Sequence, residues 1–178
     1  MNFKVTKTET VFSGKVFDVR IDEIEYNNSG NKATRQTAIH PGGAVIIPVT
    51  NDGKLVFISQ YRFAHDETLL ELPAGKLEKG EDPLLCAIRE LKEETGYSSN
   101  NFTKLGKIYT TPGFCNEVLH IFLAKDLIDG DHAREEGEEG IELRYFSIDE
   151  IELKIKSGEI VDSKTLSAVY LYKVMNNL

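Results

Sequence analysis

Residues 75 to 97 read GKLEKGEDPLLCAIRELKEETGY and crowd Glu81, Glu90, Glu93 and Glu94 around a single arginine, Arg89. The stretch carries its own helix boundaries. Asp82 is a capping residue, Pro83 suits the first helical position, and Gly96 suits a left-handed stop. On the helix so bounded, Leu84, Ile88, Leu91 and Thr95 fall on one apolar stripe, with the acids facing the opposite way. Glu90 and Glu94 stack on one flank near the C-terminal end, where the macrodipole disfavours anions. A solvated acidic face is the plain explanation of a charge run. Against it, carboxylates within ~5 Å of each other repel by about 3 kcal/mol per pair at an effective dielectric of 20. Lys92 points elsewhere and does not neutralise them. A hard cation with oxygen ligands reverses the sign, and magnesium favours a few carboxylates, some waters and substrate phosphate oxygens. The stretch therefore predicts half of a magnesium–phosphate site.

Around that helix the chain reads as strands. VFSGKVFDVRIDEIEY and KATRQTAIH flank the turn NNSGN as a hairpin with one modest apolar face. GAVIIPVT is a continuous β-branched run, expected to be buried on both sides, and NDG turns it into KLVFISQYR as its partner strand. KLGKIYT, EVLHIFLAKDL and IELRYFSI follow as strands, then a short helix over 148–156 and a last one from about Ser163 to Met175. Leu166, Val169, Tyr170 and Val174 are the expected apolar set of that last helix. The order implies a mixed α+β sandwich.

With 178 residues, the chain should bury roughly 70% of its unfolded surface without staples. Cys86 and Cys115 make neither a disulfide framework nor a zinc site. The net charge of −8 argues against nucleic acid as the main partner, and a divalent metal would supply the positive charge a phosphorylated ligand needs. No run reaches the ~20 apolar residues of a membrane helix, and MNFKVTKTETVFSG has no apolar signal segment, so a cytoplasmic protein is expected. His40, His65, His120 and His132 show no metal-ligand spacing.

The acidic stretch resembles the Nudix box, G-x5-E-x7-R-E-U-x-E-E-x-G-U with U a bulky apolar residue. Gly75, Glu81, Arg89, Glu90, Leu91, Glu93, Glu94 and Gly96 fill its fixed positions in order, and only Tyr97 departs, being aromatic where an aliphatic is usual. The resemblance implies a Nudix-type α/β/α sandwich with a mixed sheet, a loop–helix–loop that holds Mg²⁺ (or Mn²⁺), and hydrolysis of a nucleoside diphosphate linked to something else. By position, Glu90, Glu93 and Glu94 are implied metal ligands, with the backbone carbonyl of Ala74. Gly75, Glu81, Arg89 and Gly96 are implied to be structural, the arginine fork organising the acids of the box.

The flanks are similar to the ADP-ribose pyrophosphatase branch of that family. QYRFAHDETLLELPAGKLEKGE begins at Gln60, TPGFCNE places Pro112 sixteen residues after Gly96, and IELRYFSIDEI…SGEIVDSKT extends the likeness from roughly Ser13 to Tyr172. The likeness implies a phosphate or ribose contact for Arg62, a pocket-shaping turn at Pro112, a ribose-hydroxyl acceptor at Glu117, and help from Phe17 and Arg35 in holding adenine. As isolated residues, Arg62 and Arg35 are ordinary surface cations, Phe17 a packing residue and Pro112 a turn residue. In REEGEEGIEL the general-base glutamate expected before the last strand is Glu139, with Glu138 behind it and Glu136 also possible.

The implied reaction is metal-assisted hydrolysis of the diphosphate of ADP-ribose to AMP and ribose 5-phosphate. Another sugar nucleotide or dinucleotide is the nearest alternative, and a non-catalytic ADP-ribose sensor is one from a different class. Residues 1–40 are expected to be an arm and 41–178 the hydrolase domain. A lone hairpin is marginal, and in relatives such arms cross to a second subunit, so a homodimer is expected in which the arm helps build the partner's pocket.

Overall fold

A computed structural model describes residues 2–130 and 140–178. It is a mixed α+β fold of ten strands and three helices among the described residues. The chain divides into two compact units, Met1–Gly42 with Tyr109–Val118, and Gly43–Ile108 with Leu119–Leu178.

In the first unit, β1 (Phe3–Ser13), β2 (Asp18–Tyr26) and β3 (Lys32–Ile39) form an antiparallel meander in that order. The expected hairpin thus gains a third strand. VFSGKVFDVR is not one strand, because the chain reverses at Gly14, whose N–H donates to the Phe17 carbonyl at 3.2 Å. The β2–β3 turn falls at NNSGN as expected, with Gly30 in the left-handed region at φ 69°. Ala38 and Cys115 form a parallel bridge that ties residues 109–118 to β3.

The second unit holds the core. β4 (Gly43–Pro48) is buried at every position, with β7 (Ala74–Lys76) antiparallel on one side and β9 (Val118–Lys125) parallel on the other. β8 (Asn101–Tyr109) completes this sheet beyond β9. β5 (Leu55–Arg62) lies in a different sheet, between β10 (Glu142–Phe146) and β6 (Glu67–Glu71). That corrects the expected pairing of GAVIIPVT with KLVFISQYR. The NDG turn forms, but Pro48 ends β4 without an N–H to donate, and the ladder shrinks to the single bridge Val49–Leu55. With both strands apolar on both faces, each is buried better at the centre of its own sheet.

Three helices, α1 (Pro83–Thr95), α2 (Ile148–Ser157) and α3 (Ser163–Asn176), cover these sheets. α2 begins in a full capping box, Ser147 with Glu150. α3 buries Thr165, Ala168, Val169 and Tyr172, whereas Tyr170 and Val174, expected inside, are exposed. The four buried positions fall on one stripe at helical spacing, and Tyr170 and Val174 project from the opposite side. Val45, Ile47, Phe57, Leu72, Ile121 and Ile151 share one apolar cluster with Ala168, Val169 and Tyr172. Ala44, Ile46, Cys86, Ala87, Leu91 and Phe122 form a second one under α1.

Candidate active site

α1 starts where the acidic stretch says it should. Asp82 accepts from the Leu84 N–H at 2.8 Å, Pro83 stands in the first turn, and Gly96 closes the helix at φ 76°. Its buried face keeps Leu91 and Thr95 of the expected stripe and loses the other two. Leu84 and Ile88 are exposed, while Cys86, Ala87, Glu90, Leu91, Glu94 and Thr95 point inward. Glu90 and Glu94 are only 6% and 3% exposed, which removes the solvated-face explanation for both. The physical reason lies on the strand beneath them. Gly75 has no side chain, and a Cβ built there would stand 1.8 Å from the Glu90 carboxyl carbon. β7 therefore leaves room for a carboxylate where a larger residue would have demanded an apolar face.

Arg89 is the hub of the acids. Its Nε and Nη2 reach both carboxylate oxygens of Glu81 at 3.1 Å, and its Nη1 donates to Glu90 at 2.6 Å and Glu93 at 2.9 Å. Nη2 also donates to the Lys76 carbonyl at 3.1 Å, which fixes the loop to the helix. One guanidinium thus joins four elements of the stretch, as its rigid donor fork permits. The hydrogen bond from Arg89 holds the Glu81 carboxyl below its ordinary range, and the three acids push the arginine's own pKa up. Cys86 packs beneath, its thiol 3.7 Å from the Gly75 carbonyl, and burial pushes it up to about 12, so it is an inert packing group.

Ala74 and Glu94 are joined directly: the Ala74 N–H donates to Glu94 Oε2 at 2.8 Å. The strand end and the helix end are therefore at hydrogen-bonding distance, and the Ala74 carbonyl belongs to the same residue as the donating N–H. Among the described residues no three His, Cys, Asp or Glu side chains converge as a ready metal cage, because Arg89 draws Glu90 and Glu93 to itself. The donors still fit a hard divalent cation. Glu90, Glu93, Glu94 and the Ala74 carbonyl offer oxygen alone, two of the carboxylates are buried, and the cradle over Gly75 is shaped by the Glu90 carboxylate itself.

Arg62, the expected phosphate or ribose contact, stands at the end of β5 in a bidentate fork with Glu71, at 2.7 and 2.6 Å. Glu71 is 1% exposed and also accepts from Lys164. Lys164 contacts Asp162 at 3.0 Å, the residue that caps α3. Sequence reasoning passed over Glu71, Lys164 and Asp162. The signal was a glutamate in ETLLELPAG at a position that otherwise reads as core, which is tolerable only with cationic partners.

The remaining expected residues fall in the first unit. Phe17, His40, Thr111, Phe114, Cys115 and Glu117 line a cavity of about 380 Å³ there. Phe17 and Glu117 thus share one pocket, and Pro112 belongs to the turn between two of its lining residues, Thr111 and Phe114. Arg35 is elsewhere, donating to the Thr34 carbonyl and the Tyr26 hydroxyl on the exposed side of the meander. His40, not expected to function, sits 3.1 Å from Glu117 through its Nδ1, and the Gly42 N–H lies 3.1 Å from the same nitrogen. Glu136, Glu138 and Glu139 lie outside the described residues. At the aromatic departure, the Tyr97 hydroxyl meets that of Tyr145 on β10 at 3.0 Å, a contact no aliphatic residue makes.

Comparison with known proteins places the chain in a family. Residues 40–168 match the NUDIX domain model. The chain is 39% identical to the ADP-ribose pyrophosphatase of Bacillus subtilis over 93% of its own length and 90% of that protein's. It is 40% identical to the methanol dehydrogenase activator of Bacillus methanolicus over 98% of this chain and 95% of the relative. A crystal structure of an ADP compounds hydrolase superposes with a TM-score of 0.86 at 22% identity, covering 98% of this chain and 94% of that one, a likeness of fold.

Proposed function

Because the chain belongs to the Nudix family of hydrolases, we propose that it hydrolyses the diphosphate of ADP-ribose to AMP and ribose 5-phosphate. The observation that carries the reading is the inward face of α1, where Glu90 lies against Gly75 and Glu94 accepts from Ala74. The kinship to an ADP-ribose pyrophosphatase over 93% of this chain names the substrate.

Nudix hydrolases generally need divalent metal ions. Mg²⁺, with Mn²⁺ as a substitute, is the proposed cofactor, held by Glu90, Glu93, Glu94 and the Ala74 carbonyl. Such an ion, when bound, would offset charge on the diphosphate and acidify a water. The chain's own residues do the rest. Arg89 keeps the acids of the box in register, and Arg62 donates to a phosphate oxygen. Glu139, or Glu138 in its place, takes the proton of the attacking water. The water oxygen then bonds to one phosphorus, the bridging P–O bond breaks, and the bridging oxygen leaves with the other phosphate. Phe17 would hold the nucleobase and Pro112 and Glu117 would bound the ribose end, whereas Arg35, engaged by Tyr26 and the Thr34 carbonyl, lies outside that pocket.

We propose further that residues 1–40 are an arm through which two copies pair, that each arm helps build the partner's pocket, and that the protein works in the cytoplasm. No helix among the described residues is long and apolar enough to cross a membrane. Light scattering at micromolar concentration should show a dimer.

The functional test is turnover of ADP-ribose, GDP-mannose, UDP-glucose and a diadenosine polyphosphate, with Mg²⁺, with Mn²⁺ and with chelator. Metal-dependent AMP release, preferred from ADP-ribose, is the expected result. Preference for another compound would keep the metal site and discard the substrate. The 40% identity to an activator favours a second reading, that the chain stimulates a dehydrogenase. Mixing it with the methanol dehydrogenase of Bacillus methanolicus and following alcohol oxidation separates the two.

A further inference from the structure

Lys164 and Glu71 have no part in the mechanism above, yet they form the most buried ion pair among the described residues. Glu71 ends β6 at 1% exposure, and its two oxygens take Nε and Nη2 of Arg62. Lys164, whose side chain is 15% exposed, bonds the same carboxylate from the first turn of α3. That turn also grips the neighbouring backbone. The Leu72 N–H donates to Thr165 Oγ1 at 2.9 Å, and Thr165 Oγ1 donates to Asp162 at 2.6 Å. Two residues on, Ala74 donates to Glu94. The first turn of α3 thus holds both the carboxylate that binds Arg62 and the short link that leads into β7.

For stability alone this is a poor arrangement, since an apolar group of similar volume often serves a buried ion pair's place as well or better. What the fork does supply is direction. It uses the Nε–Nη2 edge of Arg62 and leaves Nη1 out of the Glu71 contact. Arg62 is near enough to Glu94 on the acidic helix for the two charges to interact. Lys164 brings a second positive charge to the same carboxylate, and Asp162, 3.0 Å from Lys164, balances it, so the cluster is neutral as a whole and Arg62 remains its more exposed cation.

We propose that Glu71 and Lys164 are positioning residues for the diphosphate: they aim Arg62 so that its unused donors meet a phosphate oxygen. The proposal takes its substrate class from the hydrolase reading and its geometry from the fork.

The test is a double-mutant cycle on Arg62→Ala and Glu71→Gln, read in two ways. The first is the Kd of inorganic pyrophosphate by calorimetry with Mg²⁺ present, and the second is KM against kcat with ADP-ribose and metal. Each single variant should weaken pyrophosphate and raise KM by roughly tenfold, with kcat changed far less. The double variant should be no worse than Arg62→Ala, because Glu71 acts only through Arg62. Lys164→Met should follow Glu71→Gln, and Lys164→Arg should restore most of the loss. Multiplying losses in the double variant, wild-type affinity in Glu71→Gln, or no pyrophosphate binding by the wild-type chain would each overturn the proposal. If Glu71→Gln does not fold, the same cycle with Lys164→Met decides. A wild-type chain that binds pyrophosphate but leaves ADP-ribose intact sinks the substrate reading alone, and the pyrophosphate cycle still judges Glu71.

Discussion

Gly75 and Glu90 occupy one space: a side chain on the first would stand 1.8 Å from the carboxyl carbon of the second. Gly75 is not in a left-handed conformation, so room and not backbone freedom demands the glycine. Gly75→Ala should therefore displace Glu90 while leaving the helix formed. Turnover is expected to fall on the order of a hundredfold, with a cost in stability of about 1–3 kcal/mol from overpacking. Metal titration of activity, with circular dichroism as the control, checks both; a variant with normal metal response would separate Glu90 from the metal.

Glu90→Gln and Glu94→Gln remove charge at nearly constant shape. An amide oxygen still accepts from Ala74, so the strand-to-helix contact survives. Each change should lower the rate by more than about a hundredfold while the melting temperature moves little. Near-wild-type rates in both at a defined Mg²⁺ supply would remove these carboxylates from the metal set.

Arg89→Ala should be worse for the fold than either acid substitution. It leaves Glu81, Glu90 and Glu93 without their shared cation, and breaking such a partly buried network costs roughly 2–4 kcal/mol. Arg89→Lys keeps a charge but not the fork, and should recover less than half of that loss. Urea denaturation of both variants gives the comparison. Added Mg²⁺ should restore stability to Arg89→Ala, since a second cation would take over the acids.

Acid should unfold the protein in part through Glu71 and Glu81. Burial pushes the Glu71 carboxyl up, but Arg62 and Lys164 outweigh it and hold the group below its ordinary 4.5. The Arg89 hydrogen bond does the same for Glu81. Both groups take up protons more readily in the unfolded chain. Their stabilisation is therefore complete above a pH of about 4.5 and is lost as pH falls through the depressed folded values. Thermal melts across this range should fall away below about pH 4.5, and Glu71→Gln should show a shallower slope. An identical slope would mean that Glu71 carries no linked proton.

How much of this was written in the sequence varies by residue. The limits of α1 were legible because Asp82, Pro83 and Gly96 act locally, and each does in the fold what its chemistry suggests. The inward face of α1 was legible only at Leu91 and Thr95. Leu84 and Ile88 outrank glutamate in hydrophobicity, and only the missing side chain of a strand nearby, at Gly75, makes room for Glu90. The partner of β5 was equally hidden, since a tight turn between two apolar runs specifies a reversal and leaves open which sheet each run joins. Arg89 was placed correctly among its acids by position in the box. Glu71 and Lys164 went unseen because 93 residues separate them, and nothing local marks a contact at that distance.

The parallel pairing of β4 with β9 has a consequence in time. Ala74, Gly75, Glu81, Arg89, Glu90 and Glu94 lie within one short stretch, so their mutual contacts close small loops. β4, the strand on which β7 is laid, pairs with β9 from Gly43–Leu119 to Pro48–Ala124, and that closes a long one. Loop closure of this kind is slow compared with local helix formation. The order of assembly then runs from chemistry to scaffold, and in pulse-labelled hydrogen exchange the amides of α1 should be protected before those of β9.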